Sequence, residues 1–206
     1  MKQRVLSTQA FMGTTKERGS SLIMIMIILA VTSILGIAGI KISMMSERGA
    51  RNDRDQQMAW EAAEAALLDA EQDISSPSST RRSIFTPVTD EQAFVQGCGK
   101  TGNSRGLCAM AITGHPVWLT AGFDFSDTSS DAPSTAYGTF TGRTFAAGST
   151  GIRPFQAPRY VIEAIRDPAD RDKTNFSSPA YVYRVTAMGF GPRKDIQTVV
   201  QMIYRK

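Results

Sequence analysis

KERGSSLIMIMIILAVTSILGIAGI, residues 16–40, joins a charged tetrapeptide to 21 residues that carry no charge. An α-helix rises about 1.5 Å per residue, so the uncharged run forms a helix roughly 30 Å long, which is the hydrocarbon thickness of a bilayer. A secretory signal has a shorter apolar core and is cut after that core. Here the suitable scissile bond, Gly19-Ser20, lies before the core. The sequence therefore predicts that residues 1–19 are a removed leader and that residues 20–40 remain as a transmembrane helix.

The charges beside the apolar run predict its orientation. One acidic residue, Glu17, and four basic residues precede it; the basic residues are Lys2, Arg4, Lys16 and Arg18. Basic flanks are retained on the cytoplasmic side of a membrane. We therefore expect a cytoplasmic N-terminus, with the chain after the span on the opposite side of the membrane.

The net charge argues against a nucleic-acid partner. The whole chain has 23 basic and 19 acidic residues, a net charge of +4. The leader holds four of the basic residues and one of the acidic residues, which leaves 19 and 18, a net charge of +1. A nucleic-acid-binding domain keeps a basic patch, whereas no run of basic residues here is longer than Arg81-Arg82. About 150 residues remain after the helix leaves the membrane, which is the usual size of one domain.

A second, amphipathic half of the helix is predicted over residues 41–74. Apolar residues recur there at spacings of 3, 4, 3 and 4, which places them on one helix face; they are Trp60, Ala63, Leu67, Ala70 and Ile74. We expect this face to pack on a sheet of the same domain. Pro77 and the serines around it end the helix, because proline and serine hydroxyls oppose helix propagation.

The last third of the chain reads as strands. Residues 159–165, 180–187 and 196–204 are rich in β-branched and aromatic residues. The last two segments are joined by a glycine-rich turn over residues 189–195, which is typical of a hairpin. The prediction is an α+β fold in which the amphipathic helix packs on an antiparallel β-sheet within a globular head, residues 75–206.

Residues 124–151 are dominated by Ser, Thr, Ala and Gly, with isolated aromatic residues. This composition predicts a long mobile surface loop with no ligand. Thr135 to Phe145 alternate loosely, so a surface hairpin is the alternative.

Cys98 and Cys108 enclose a glycine-rich loop in a compartment that the orientation makes oxidising, so a disulfide is the simplest interpretation. Closing so short a loop contributes about 2 to 3 kcal/mol. Two free thiols are the alternative. A metal site is disfavoured because two sulfurs and the distant His115 fall short of four ligands.

The sequence gives no reason to expect an enzyme, a catalytic residue or a cofactor. Gly99-Lys100-Thr101 lacks the earlier glycine of a phosphate-binding loop, since Phe94 stands there. His115 lies between Gly114 and Pro116 without a nucleophile in a recognisable context.

The leader and span together resemble the type III signal of type IV pilins and pseudopilins. The segment DRDQQMAWEAAEAALLDAE, residues 53–71, is similar to the helical signature of PilX-type minor pilins. So are PRYVIE, residues 158–163, YRVTAMGFG, residues 183–191, and the closing Tyr204-Arg205. The resemblance implies that a prepilin peptidase cuts after Gly19 and methylates the new amine of Ser20.

One departure from most pilins bears on position in the filament. Most pilins carry a glutamate at the fifth mature position, which is thought to pair with the amine of the subunit ahead. The fifth residue from Ser20 is Met24, and a subunit at the tip has none ahead of it. Close packing of membrane helices uses small residues, which Gly36 and Gly39 supply, although they equally suit a lone anchor.

The resemblance implies a function, partners and a location. These are priming of a type IV pilus and a place at its tip, with roles in adhesion and twitching motility. The implied partners are other minor pilins, the major pilin, a PilY-type tip adhesin, the prepilin peptidase and the inner-membrane assembly platform. The implied location is the bacterial inner membrane with a periplasmic head, followed by the cell surface. A type II secretion tip pseudopilin and a single-span periplasmic binding protein remain as alternatives.

Overall fold

The computed structural model of the protein describes residues 20–111, 114–120, 122–148, 150–170 and 179–206. The chain forms two compact units, one that ends at Gly49 and one over Ala50–Lys206, which we call the head unit. We call residues 20–49 the assembly segment.

One long helix, α1, runs over Ser20–Ser75. It ends where the sequence predicts, ahead of Pro77. The Ser75 hydroxyl donates to the Glu71 carbonyl oxygen at 2.7 Å, and the Ser76 N–H donates to the Gln72 carbonyl oxygen at 2.8 Å. These two bonds satisfy carbonyls that the last helical turn otherwise leaves open.

Five strands form one sheet in the order β1-β3-β4-β5, with β2 paired to β3. Their bounds are β1, Leu107–Cys108; β2, Thr135–Ala136; β3, Arg159–Arg166; β4, Tyr181–Phe190; and β5, Gln197–Arg205. The three long strands are antiparallel, in a register that places Val185 opposite both Ile162 and Met202. The α+β architecture is therefore confirmed.

The sheet is mixed rather than purely antiparallel, which corrects the prediction. Strand β1 runs parallel to β3, with Leu107 opposite Ile162. A parallel neighbour needs a long crossover connection, and the residues between Cys108 and Arg159 supply it. A two-residue strand leaves no periodicity in the sequence, so β1 had no signal of its own.

Both faces of the central strands are covered. On the helix side, Tyr183, Val185 and Ala187 pack with Ala66, Ala70 and Ile74 of α1. On the opposite side, Val161 packs with Cys98, Cys108 and Phe125. The Thr186 side chain is also fully buried on that side. The irregular chain between α1 and β3 therefore forms a second layer over the sheet.

The prediction that Trp60 faces the core is wrong, because its side chain is 46% exposed. Ala63, Ala70 and Ile74 are fully buried, and Leu67 is partly buried against the core. The physical reason is the close approach of α1 to β4: a Cβ added to Gly189 would lie 2.0 Å from the Ala59 carbonyl oxygen. Only small side chains fit at such a distance, so the buried face turns toward alanines.

The prediction of a surface loop over residues 124–151 is wrong in part: the described residues are largely irregular, as in a loop, but several of their side chains are buried. This segment contains β2, and its described residues contribute six buried side chains: Phe125, Ala132, Pro133, Ser134, Thr135 and Phe140. Composition misled the prediction because Phe125 and Phe140 are isolated in sequence and yet both are buried. Polar side chains are buried here as well, with hydrogen-bond partners.

Candidate functional site

The assembly segment presents a bare helix surface. Every residue from Ser21 to Gly49 is exposed, including Met24 at 66%. Outside the neighbouring backbone of the helix itself, no described atom lies within 4 Å of the positions that a Cβ would occupy at Gly36 and Gly39. Part of α1 is long and apolar enough to cross a membrane. Gly19 lies outside the described residues, and the backbone of Ser20 begins α1.

The hydroxyls of Thr32 and Ser33, in the middle of this apolar stretch, are satisfied inside the helix. Thr32 and Ser33 both donate to the Leu29 carbonyl oxygen, at 3.1 and 2.7 Å. Because lipid offers no hydrogen-bond partner, such internal bonds lower the cost of placing hydroxyls in a bilayer. The segment is thus suited to contact lipid or other apolar helices.

The head half of α1 is fixed from within by Asp73. Its buried carboxylate accepts hydrogen bonds from the Ser79 hydroxyl at 3.0 Å and from the Tyr160 hydroxyl at 2.8 Å. It also forms a fully buried ion pair with Arg81, whose Nε lies 2.9 Å from Oδ2. Burial, and then the charge of Asp73, raise the pKa of Tyr160 well above its ordinary value. One carboxylate thereby joins the helix end to the following turn and to β3.

Arg81 extends this connection to two further segments. Its Nη1 donates to the carbonyl oxygens of Arg105 at 2.6 Å and Asn103 at 3.1 Å. Its guanidinium carbon lies 3.8 Å from the centroid of the Phe140 ring, a cation–π contact. A buried charge is stable only when paired and hydrogen-bonded, and Arg81 meets that condition with partners from α1, the disulfide loop and residues 124–151.

Asp69, one turn before Asp73, anchors residues 124–151 directly. Its carboxylate accepts a hydrogen bond from the Gly138 N–H at 2.7 Å and from the Thr141 hydroxyl at 2.6 Å. The Arg143 guanidinium lies 3.7 Å away. Burial raises the pKa of Asp69 above its ordinary value, against the lowering effect of these partners. The last two turns of α1 therefore organise the second layer as well as the sheet.

The disulfide prediction is confirmed: Cys98 and Cys108 are bonded. Within the loop they close, the Gly99 N–H donates to the Leu107 carbonyl oxygen and the Gly106 N–H donates to the Gly99 carbonyl oxygen, at 3.0 and 2.9 Å. No group of three or more His, Cys, Asp or Glu side chains among the described residues is placed to hold a metal ion.

Sequence reasoning missed the buried triad of Asp73, Arg81 and Tyr160. A signal was present, since Asp69 and Asp73 are spaced four residues apart at the end of an amphipathic helix and Arg81 follows soon after. The acids' partners Gly138, Thr141 and Tyr160 are 69 to 87 residues away in the chain, however, and such long-range pairing leaves no local pattern.

Comparison with known protein families covers most of the chain. The family model described as type IV pilus assembly protein PilX C-term matches residues 89–206, more than half of the sequence. The model described as PilX N-terminal matches residues 18–68. No curated protein and no solved structure matches significantly. The two matches confirm the resemblance found in the sequence.

Proposed function

The chain belongs to the PilX family of type IV pilus assembly proteins, and from that premise we propose that it is a minor pilin that primes pilus assembly and lies at or near the pilus tip. The observation that carries the proposal is Met24. A carboxylate inside lipid needs a cationic partner, and the assembly segment carries neither acid nor base from Ser21 to Ile40. A subunit that begins a filament has no subunit ahead of it, so it loses no pairing interaction when the glutamate is replaced by Met24.

The proposal includes processing and location. The prepilin peptidase cuts between Gly19 and Ser20 and methylates the new amine, the segment 20–40 holds the subunit in the inner membrane, and the head unit lies in the periplasm before export to the cell surface. The disulfide between Cys98 and Cys108 supports an oxidising compartment for the head.

The proposal also assigns partners. The bare helix of the assembly segment packs with other minor pilins and with the major pilin, on the inner-membrane assembly platform. The head supports a PilY-type adhesin, and through it adhesion and twitching motility. In this scheme the chain is a structural subunit rather than an enzyme.

The test counts pili and locates the protein on them. Cells that lack the chain should carry few or no pili, and the wild-type gene should restore them. Gold-labelled antibody against the head should mark filament ends. Labelling along the whole filament shaft, or normal pilus numbers without the protein, would contradict the proposal.

The variant Met24→Glu sharpens this test. Its carboxylate gives the subunit the pairing group of an internal position, so we expect label to spread away from the filament ends. Met24→Gln, which is polar without a charge, is the matched control and should keep the label at the ends.

A further inference from the structure

The outward face of the head half of α1 carries an acidic and apolar ridge. From Asp55 to Ser75 the helix has six acidic residues and no basic residue. Two of them, Asp69 and Asp73, are buried with the partners described above. Glu61 and Glu64 are exposed. The exposed charge of the helix from Asp55 to Ser75 is therefore negative, and Arg51 and Arg54 lie on the turns before this stretch.

Two large apolar side chains lie beside these acids. Trp60 is 46% exposed and Leu68 is 56% exposed. With Glu64 they are spaced four residues apart, so the three form one row along the helix. We call Trp60, Glu61, Glu64 and Leu68 the Trp60 ridge.

The Trp60 ring is held in place before any partner arrives. Its Nε1 donates to the Glu64 carboxylate at 2.7 Å, so its single polar group is satisfied within the ridge. Tryptophan is the residue type most often found as a binding hot spot, and an anchor that is already ordered loses little entropy on binding. The ridge thus has a fixed aromatic anchor, an aliphatic neighbour and uniform negative charge.

We propose that the Trp60 ridge is the docking site for a neighbouring pilus subunit whose surface surrounds an apolar depression with arginine or lysine side chains. Such a surface complements the ridge in both charge and polarity. Two copies of this chain that met ridge to ridge would place acids against acids, and anionic lipid headgroups would be repelled in the same way. The identity of the partner as a pilus subunit rests on the function proposed above.

Photo-crosslinking in piliated cells tests this directly. Full-length protein carries benzoylphenylalanine in place of Trp60, and a control carries it in place of Leu119, which is also exposed. We expect the first protein to crosslink to another pilus subunit, at a peptide that contains Arg or Lys, with a yield that falls as salt rises in isolated membranes. Crosslinks to lipid, crosslinks to residue 60 of a second copy, or no difference between the two positions would overturn the proposal.

Matched substitutions give a second test. Leu68 and Leu119 are equally exposed at 56%, so Leu68→Ala and Leu119→Ala remove the same area from different surfaces. Leu68→Ala should lower the crosslink yield from position 60 by at least about fivefold, and Leu119→Ala should leave it unchanged. Glu61→Lys should lower the yield similarly, while Asp195→Lys, the same charge change on the β4-β5 turn, should not.

Failure of the docking proposal is distinguishable from failure of the proposed function. Gly19→Val blocks leader removal and should abolish pili if the chain is a pilin. Loss of pili in Gly19→Val together with equal yields in Leu68→Ala and Leu119→Ala would overturn the docking site alone. Normal pili in Gly19→Val would overturn the function on which it rests.

Discussion

The two parts of α1 differ in where their partners come from. In the assembly segment every residue from Ser21 onward is exposed, and the hydroxyls of Thr32 and Ser33 are bonded within the helix. In the head unit the same helix buries five alanines and places two carboxylates in the interior, with partners from distant segments. Small residues in the first part therefore have no tertiary packing partner among the described residues, whereas small residues in the second part already pack within the chain.

The largest effect is expected from Arg81→Leu, which removes one partner of the buried ion pair. The Asp73 carboxylate would lose its cationic partner, and the carbonyls of Asn103 and Arg105 would lose the Arg81 donor, so the head should be destabilised by about 3 to 5 kcal/mol. Urea unfolding of the full chain in detergent, followed by tryptophan fluorescence, measures this. The double variant Asp73→Leu/Arg81→Leu should cost less than the sum of the single variants. A loss below about 1 kcal/mol in Arg81→Leu would contradict the role given to the pair.

Removal of the disulfide is expected to have the next largest effect. Cys98→Ser/Cys108→Ser should lower the free energy of unfolding of the head by about 2 to 3 kcal/mol, because the unfolded chain regains the freedom that the closed loop denied it. Wild-type protein treated with reductant is the matched control and should lose the same amount. Equal stability of the oxidised and reduced proteins would contradict this contribution.

Gly189→Ala tests the close approach of α1 to β4. The added methyl would meet the Ala59 carbonyl oxygen at 2.0 Å and the Ala63 nitrogen at 2.3 Å, both of them backbone atoms that cannot rotate away. We expect a loss of about 1 to 3 kcal/mol in the unfolding free energy of the head. An unchanged unfolding midpoint would contradict the close packing of α1 against β4 at Gly189.

Asp69→Asn isolates a pH dependence within the head. Because burial raises the pKa of Asp69 in the folded state, the folded protein binds this proton more readily than the unfolded protein does. Its contribution to stability therefore rises as the pH falls through the folded-state pKa, and decreases again as the pH rises. The difference in unfolding free energy, wild type minus Asp69→Asn, should therefore increase as the pH is lowered from 7 to 4. A decrease in this difference as the pH is lowered would contradict burial as the cause of the raised pKa of Asp69.

Gly36→Ala should have the smallest effect on the head, within about 0.5 kcal/mol, since no described atom contacts this position. It is the counterpart of Gly189→Ala in the assembly segment. The larger substitution Gly36→Leu should also leave head stability unchanged but lower the number of pili, because close packing of membrane helices requires small residues. Destabilisation of the head by either variant would contradict the division of α1 into two parts.

The sequence was sufficient where a signal is local. An apolar run with basic flanks, β-branched segments and two cysteines ten residues apart predicted α1, the three long strands and the disulfide. It was insufficient for Trp60, because helical periodicity alone does not show that Gly189 draws the backbone too close for an indole. It was also insufficient for residues 124–151. Their placement depends on Asp69 and Arg81, two polar residues that lie far from this segment in the sequence.

The mass of the N-terminal peptide, from protein isolated out of cells with and without the prepilin peptidase, tests the pilin assignment most directly. A peptide that begins at Ser20, methylated or not, only in cells that contain the peptidase is the predicted result. A leader that remains attached to residue 20 in both strains would contradict it, and the chain would then be a membrane-anchored protein that does not enter a filament by pilin processing.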